Sequence, residues 1–362
     1  MYIKIYLSIN TRIQMGPLIQ GTNEAFRNLN VEAKREQTYP MDDKIKRILL
    51  TGSTGFIGSE LVPKLIALGY EVHLLERYVT SRYTLDNNNA IKHYGNLTDY
   101  PSLKNIVRQV QPEFCIHLGA ISAVSFSYDH FLEVSEVDYL GTINLAEACY
   151  REVPSFKQFI FAGSSEEFGM TLQNNRDKLN EDSKLEPNSP YAIAKVSSEL
   201  YLKYMWMAYN FPYTVLRPFN SYGRKSNNHF FIERTITQML AGGKVSLGDP
   251  STTRNWLYVD DHVNGYLKAL DNPKAIAQTI QLCSDDNCTT QETAMLIAEL
   301  TGFKGTINWN STPKRPLDAK YLIGDNSKAK TLLDWAPTVS LRDGLIRLIS
   351  YYNDKRVAIS LS

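Results

Sequence analysis

Arg47-Ile48-Leu49-Leu50-Thr51-Gly52-Ser53-Thr54-Gly55-Phe56-Ile57-Gly58 is the stretch on which the fold turns. A short apolar run stops at a glycine turn, and a helical pattern over 58–68 follows until Gly69 ends it. Working outward, residues 71–75, 114–118 and 158–162 read as further short apolar strands. Amphipathic helical stretches separate them, notably over 100–110 and 139–150. Strands and helices alternating in this way predict an α/β fold, a Rossmann-type doubly wound parallel sheet covered on both faces. Beyond Arg217 the alternation loosens into loops rich in Gly, Pro, Asn and Asp, which predicts a smaller C-terminal α/β lobe. The expected organisation is an N-terminal extension over 1–44, a dinucleotide-binding domain over 45–220, the smaller lobe over 221–355 and a tail over 356–362. Part of 257–275 is expected to return to the first domain.

Composition sets the outer limits. The chain has 362 residues, 43% hydrophobic and 21% charged, which excludes a disordered chain. Lys and Arg total 39 against 38 Asp and Glu, a formal charge of +1, and that balance argues against a nucleic-acid partner. The apolar start over 1–9 is interrupted by Lys4 and is too short to span a bilayer, so no membrane partner is expected. The cysteines are Cys115, Cys149, Cys283 and Cys288, with no Cys-x-x-Cys pair, which predicts a reduced, cytoplasmic protein. Residues 1–40 mix Asn, Gln, Arg and Glu without periodicity and read as a flexible extension, with Met41 as an alternative start.

Glycines spaced three apart are a weak signal by themselves, and here their context strengthens them. Gly52, Gly55 and Gly58 follow an apolar strand and open a helix, and Glu76 ends the next strand. Such glycines let the backbone turn tightly and approach a pyrophosphate, while the helix N-terminus supplies N–H donors and positive potential. Phe56 and Ile57 lie within that turn. Glu76 is placed to accept hydrogen bonds from an adenosine ribose, which favours NAD; Arg77, with Arg82, could instead welcome a 2′-phosphate, which leaves NADP open. Asn96 and Leu97 are expected beside the adenine, and Leu118, Gly119 and Ala120 beneath the nicotinamide.

A Tyr-x-x-x-Lys spacing occurs at Tyr100/Lys104, Tyr191/Lys195 and Tyr351/Lys355. Only the middle pair follows a strand ending in Ser164-Ser165 by the interval of another strand-helix unit, and it opens a helix after Asn188-Ser189-Pro190. On a helix, Tyr191 and Lys195 share one face. An ammonium nearby, with a positive nicotinamide ring, is expected to lower the tyrosine pKa from about 10 and make its phenolate a base. Ser165 is expected to hold the substrate hydroxyl. The other two pairs read as helix-face contacts.

These motifs resemble the extended short-chain dehydrogenase/reductase superfamily, NAD-dependent epimerase/dehydratase family. Further matches are Arg217-Pro218-Phe219-Asn220-Ser221-Tyr222-Gly223, Arg254-Asn255-Trp256-Leu257-Tyr258-Val259-Asp260-Asp261 and Arg315-Pro316-Leu317-Asp318. The resemblance implies a nucleotide-diphosphate-sugar substrate, Pro218 beside the cofactor, and a homodimer joined through a four-helix bundle. Within the family, Gly163-Ser164-Ser165-Glu166-Glu167-Phe168-Gly169 is similar to the Thr-Asp-Glu or Thr-Ser-Glu triplet that nucleotide-sugar 4,6-dehydratases carry before an aromatic-Gly pair. Read with Ser165 for Thr, Glu166 falls in the middle and Glu167 at the glutamate. The segments 93–99, 119–122 and 231–234 resemble GDP-mannose 4,6-dehydratases.

The chemistry this resemblance implies is C4 oxidation with Tyr191 as base, removal of the C5 proton by Glu167, protonation of the departing C6 hydroxyl by Glu166, and return of hydride to C6. Two neighbouring carboxyls can split acid and base roles, although successive strand residues point to opposite faces unless the chain turns. Arg254 and Arg315, with Arg234 third, are the candidate diphosphate ligands, because guanidinium forks match phosphate oxygens. Ser122 and Asn220 are candidates for sugar hydroxyls. UDP-glucuronate decarboxylases and 4-epimerases share much of the machinery and stay open, as does a non-catalytic dinucleotide-binding protein. His73 and His117 lie on buried strands and read as core residues, and His262 lacks metal-site spacing, so no catalytic metal is expected.

Overall fold

The computed structural model describes residues 45–77, 89–171, 177–225 and 229–360, with side chains as far as Asp354. The expected extension over 1–44, Arg82 and the last two residues of the tail lie outside the described residues, as does the side chain of Lys355.

Six strands run in order through the first part of the chain: β1 (Arg47–Thr51), β2 (Glu71–Glu76), β3 (Ile91–Tyr94), β4 (Phe114–His117), β5 (Gln158–Ala162) and β6 (Tyr213–Pro218). Four short strands follow, β7 (Ser221–Tyr222), β8 (Lys244–Ser246), β9 (Thr253–Asn255) and β10 (Leu257–Tyr258), and then β11 (Gln278–Leu282). Among the described residues, seven of these form one parallel sheet in the order β11-β6-β5-β4-β1-β2-β3. The order reverses at β1, which pairs with β2 on one side and β4 on the other. That switch point opens a crevice at the carboxyl ends of β1 and β4, where such sheets hold their ligands.

The alternation of side chains along β1 explains why its sequence is a continuous apolar run. Ile48 and Leu50 enter a core with helices Phe56–Ala67 and Val259–Ala269. Leu49 enters the opposite core, with Leu103, Leu145 and Leu202 from helices Tyr100–Val110, Gly141–Glu152 and Pro190–Tyr209. Both faces are therefore buried from Ile48 to Leu50, and the one charge on β1, Arg47, sits at its half-buried start, where it donates to the Val110 carbonyl at 2.8 Å.

The segment expected to return over 257–275 holds helix Val259–Ala269, packed on helix Phe56–Ala67 and on β6, and the return continues through β11 at Leu282. The helix expected over 139–150 is Gly141–Glu152, entered through a π-helical turn at Ser135–Leu140. Within the segment expected to form the smaller lobe, β12 (Asn287–Thr289), β13 (Thr306–Asn308) and β14 (Tyr321–Leu322) make small sheets ordered β12-β9-β14 and β13-β8. Among the described residues no helix is long and apolar enough to cross a membrane.

Candidate active site

At the switch point the chain leaves no room for side chains. Gly52 has φ +74°, and a Cβ there would lie 2.8 Å from the amide nitrogen of Gly119. A Cβ on Gly58 would lie 2.2 Å from the carbonyl oxygen of Gly52, whose oxygen also accepts the Gly55 N–H at 3.0 Å. The loops after β1 and β4 thus touch backbone to backbone, and Gly55 starts helix Phe56–Ala67 with bare N–H donors. This cradle fits a dinucleotide pyrophosphate. Glu76 is buried at the end of β2, 3.4 Å from the Ser53 hydroxyl and 3.5 Å from the Lys92 ammonium; Arg77 beside it is exposed. Gly119 N donates to Thr51 Oγ1 at 2.9 Å, with Leu118 and Ala120 on either side. Asn144 Nδ2 donates to the carbonyl of Leu97 at 3.0 Å, fixing the loop that carries Asn96. Pro218 ends β6.

Tyr191 and Lys195 sit one turn apart on helix Pro190–Tyr209, which the Ser189 hydroxyl caps through the Ala192 N–H. Lys195 Nζ donates to the carbonyl of Ala162 at 2.8 Å and lies 5.6 Å from the Tyr191 ring centroid and 4.7 Å from that of Phe161. Burial lowers the Lys195 pKa, against the pull of Asp138. Among the protein's own groups the Tyr191 phenol is pushed up, because burial and the Asp138 charge outweigh a hydrogen bond with Ser164; the expected lowering requires the positive nicotinamide ring as well. The hydroxyl that meets Tyr191 is that of Ser164, one residue before the one expected. Of the other pairs, Lys104 turns to Glu152 at 3.3 Å.

The two glutamates separate because the chain leaves β5 in a 3-10 turn, Ser165–Phe168. Ser164 caps that turn, and the Glu167 carboxylate folds back to accept the Ser164 N–H at 2.7 Å. The other oxygen of Glu167 accepts Arg217 Nε at 2.9 Å, and Arg217 also grips Glu199 through Nε at 3.0 Å and Nη2 at 2.8 Å. Glu167 is fully buried, and burial with the Glu199 charge raises its pKa well above the usual carboxylate range. A side chain enclosed in this way cannot reach a bound sugar, which corrects the expectation for Glu167. Glu166 instead points to the open side, its side chain 16% exposed, with Arg315 Nη1 3.8 Å away. The register becomes Ser164-Ser165-Glu166, the Thr-Ser-Glu pattern with Ser for Thr.

Three expected arginines converge on this side. Arg254 is buried, donating through Nη1 to the carbonyl of Thr253 at 2.9 Å and through Nη2 to that of Ala319 at 2.8 Å. Arg315 is 37% exposed at the side chain and stands 3.9 Å from Asp318. Its charge acts on both Arg254 and Arg234, whose pKa values burial lowers first. The Nε of Arg234 and the Oδ1 of Asn220 are buried without a protein partner. Like charges gathered with the unspent Arg234 donor fit a polyanion, while the Asn220 oxygen is an acceptor left for a hydroxyl. Ser122 is exposed in the loop after β4. Tyr128, which the sequence did not single out, shares its one hydroxyl proton between the carbonyls of Asn188 at 3.1 Å and Leu317 at 3.3 Å, tying the turn before the catalytic helix to the Arg315 loop.

His117 is a core histidine in a directed chain of hydrogen bonds. Gly119 N–H points to Thr51 Oγ1, which is 2.7 Å from His117 Nδ1; His117 Nε2 is 3.0 Å from Thr142 Oγ1, which donates to the Asp138 carbonyl at 2.6 Å. That order requires the proton on Nε2. Burial and then Lys195 lower its pKa to about 3, so the ring is neutral. Asn255 is wholly structural: its amide donates to Ser284 and Asp286 carbonyls at 3.0 and 2.8 Å and accepts Gly324 N at 2.7 Å. Among the described residues, no group of three or more His, Cys, Asp or Glu side chains could hold a metal ion.

The chain is similar to known proteins in sequence and in fold. A family described as GDP-mannose 4,6 dehydratase matches residues 49–348. The GDP-mannose 4,6-dehydratase of Vibrio cholerae is 28% identical, over 82% of this chain and 91% of its own. Among solved structures, the UDP-glucose 4-epimerase of Thermotoga maritima, determined with UDP-glucose, has a TM-score of 0.79 and 30% identity, covering 86% of this chain and 99% of its own. The dTDP-glucose 4,6-dehydratase of Streptomyces venezuelae, determined with NAD, has a TM-score of 0.76 and 25% identity, covering 86% and 98%. With a match across most of its length and the Rossmann sheet, glycine cradle and Tyr191–Lys195 pair in place, the chain belongs to the GDP-mannose 4,6-dehydratase family of nucleotide-sugar dehydratases and epimerases.

Proposed function

We propose that the protein is an NAD-dependent nucleotide-diphosphate-sugar 4,6-dehydratase, with GDP-mannose as the favoured substrate. The observation that carries this reading is the placement of Glu166: a carboxylate two residues beyond Ser164, turned to the open side and facing Arg315. C4 epimerisation needs no acid there, whereas elimination of water across C5 and C6 does. The family match favours GDP-mannose, and the Glu76 carboxylate at the end of β2 favours NAD over NADP.

When bound, NAD supplies the hydride acceptor for C4 and, once reduced, the donor for C6. Ser164 positions the C4 hydroxyl and Tyr191 takes its proton, with Lys195 holding positive charge beneath the ring. A 4-keto group acidifies C5, and Glu166 removes that proton and returns one to the departing C6 hydroxyl. Two protons leave, from the C4 hydroxyl and C5, and two are taken up, by the leaving hydroxyl and later by C5. The cycle closes when Tyr191 passes on the proton it took. Arg234, Arg254 and Arg315 hold the diphosphate, and Asn220 and Ser122 meet hydroxyls.

We further propose a homodimer. Ile193, Leu200, Tyr204 and Met207 form an exposed apolar stripe along helix Pro190–Tyr209, and Phe131, Leu132 and Leu140 stand exposed in the neighbouring helical segment. Packing that stripe against its copy would make a bundle of helices. The deciding experiment offers the protein GDP-mannose, dTDP-glucose, UDP-glucose and UDP-glucuronate and reads product masses. Loss of one water from a hexose supports the dehydratase; loss of carbon dioxide or an unchanged mass with an inverted hydroxyl overturns it.

A further inference from the structure

Asp138 lies in the π turn Ser135–Leu140, inside the protein, and takes no part in the reaction scheme above. A π turn inserts one residue into the helical repeat and alters the direction in which its side chains point, and such turns recur at functional sites. The turn is held from several sides. The Asp138 carbonyl accepts the Thr142 hydroxyl at 2.6 Å and the Ser198 hydroxyl at 3.0 Å, and its Oδ1 accepts the Ile121 N–H at 2.7 Å. Its Oδ2 is buried with no protein partner.

Tyr191, Lys195 and Ser198 occupy one face of helix Pro190–Tyr209, and the Ser198 contact lays that face against the π turn. Lys195 is enclosed too, and its donation to the Ala162 carbonyl uses one of three N–H groups. A buried ammonium and a buried carboxylate, neither in a direct ion pair among the described residues, are each costly alone. Each is also the largest charge acting on the other, after burial itself. The remaining ionisable groups around the pair are Glu166, which acts on Tyr191, Glu167, which acts on Tyr191 and, after Asp138, on Lys195, and His117, which is neutral. Arg217 offsets Glu167 at 2.9 Å.

We propose that Asp138 is a positioning residue, the counter-charge that keeps Lys195 protonated inside the protein and so sets the pH at which Tyr191 exchanges its proton. This rests on the reading of Tyr191 as the base, but its charge coupling can be measured without turnover. Lysine labelled with ¹³C at Cε, with Lys195 identified through Lys195→Met, gives the titration midpoint of that one ammonium. Asp138→Asn keeps the shape and the acceptor for Ile121 while removing the charge. The Lys195 midpoint should then fall by at least about one pH unit, because unit charges closer than about 12 Å at an effective dielectric near 20 interact by that much or more. Ser198→Ala loosens the turn and leaves the charge, so its midpoint should match the wild type.

Coupling is reciprocal. Lys195→Met should therefore raise the midpoint of the Asp138 carboxyl, read by ¹³Cγ, and this arm stands even if Asp138→Asn does not fold. If Lys195 titrates identically in Asp138→Asn, or Asp138 is unmoved by Lys195→Met, the proposal is wrong and Asp138 serves the turn alone. Failure of the dehydratase reading would show instead as absence of water loss in the wild-type protein.

Discussion

Replacing the neighbouring glutamates one at a time should separate chemistry from architecture. Glu166 is partly open, and its nearest cation, Arg315, is 3.8 Å away and itself 37% exposed. Pairs of that kind contribute about 0–1 kcal/mol, so Glu166→Gln should leave the unfolding free energy within about 1 kcal/mol of the parent. Loss of a general base typically lowers a rate by about 10²–10⁴-fold. Formation of the 4-keto-6-deoxy product should fall by that factor, while C4 oxidation continues and reduced nicotinamide accumulates. Glu167 should behave in the opposite way. Glu167→Gln removes one of two carboxylates around Arg217, leaving the Glu199 contacts at 2.8 and 3.0 Å, and costs a charge-assisted hydrogen bond of about 1.5–3 kcal/mol. Arg217→Met strands both carboxylates without a cation and should cost about 3–5 kcal/mol, a large share of the roughly 5–15 kcal/mol typical of a native protein. Urea unfolding and product mass, measured in one buffer, give both quantities. If Glu167→Gln abolishes water loss with unchanged unfolding while Glu166→Gln turns over normally, the assignment of the two side chains is refuted.

Other expectations follow from the same geometry. Gly58→Ala places a methyl 2.2 Å from the Gly52 oxygen, so cofactor affinity should drop at least about tenfold by fluorescence titration, with about 1–3 kcal/mol of stability lost. Arg315→Met should weaken binding of a nucleoside diphosphate by about 10-fold or more in calorimetry, with the thermal midpoint little changed. Leu200→Glu with Met207→Glu should give a monomer in sedimentation experiments. His117 and His262 are both held neutral, with pKa values lowered by burial to about 3. Below the ordinary value of about 6.5 the unfolded chain therefore takes up protons that the folded chain refuses, and stability falls as the pH drops. At pH 5 each costs about 2 kcal/mol, while Asp138, raised by burial to about 6, is protonated first in the folded state and returns about 1 kcal/mol. A urea midpoint that stays flat from pH 7 to pH 5 would contradict this.

Much of the architecture could be read from the chain because burial on both faces forces the middle of strands such as β1, Ile48 to Leu50, to be apolar. The glycine positions were equally legible, since Gly52 and Gly58 meet backbone atoms that no side chain could clear. Tyr191 and Lys195 could be paired through helical spacing and their position after β5. The register of the glutamates could not. It depends on Ser164 leaving the strand to cap a 3-10 turn, and that turn sends Glu167 inward to Arg217, fifty positions away in sequence. Asp138 escaped notice for a related reason: a π turn interrupts the 3.6-residue period, so a helical reading assigns the residue to the wrong face. The Tyr128 link between Asn188 and Leu317 joins segments whose proximity only the folded chain reveals.

The placement of β11 bears on how the protein is made. β6 ends at Pro218, but the strand that covers its outer edge, Gln278–Leu282, is encoded some sixty residues later. At a synthesis rate of about 5–20 residues per second, a nascent chain spends roughly 3–12 s with β6 finished and its neighbour still unmade. During that interval the row of amide and carbonyl groups along β6 is an open template for another strand. Ribosome crowding on one message would bring such templates side by side. Synonymous codons that slow translation between Ser221 and Gln278 should therefore lower the soluble yield without altering a single residue of the finished protein.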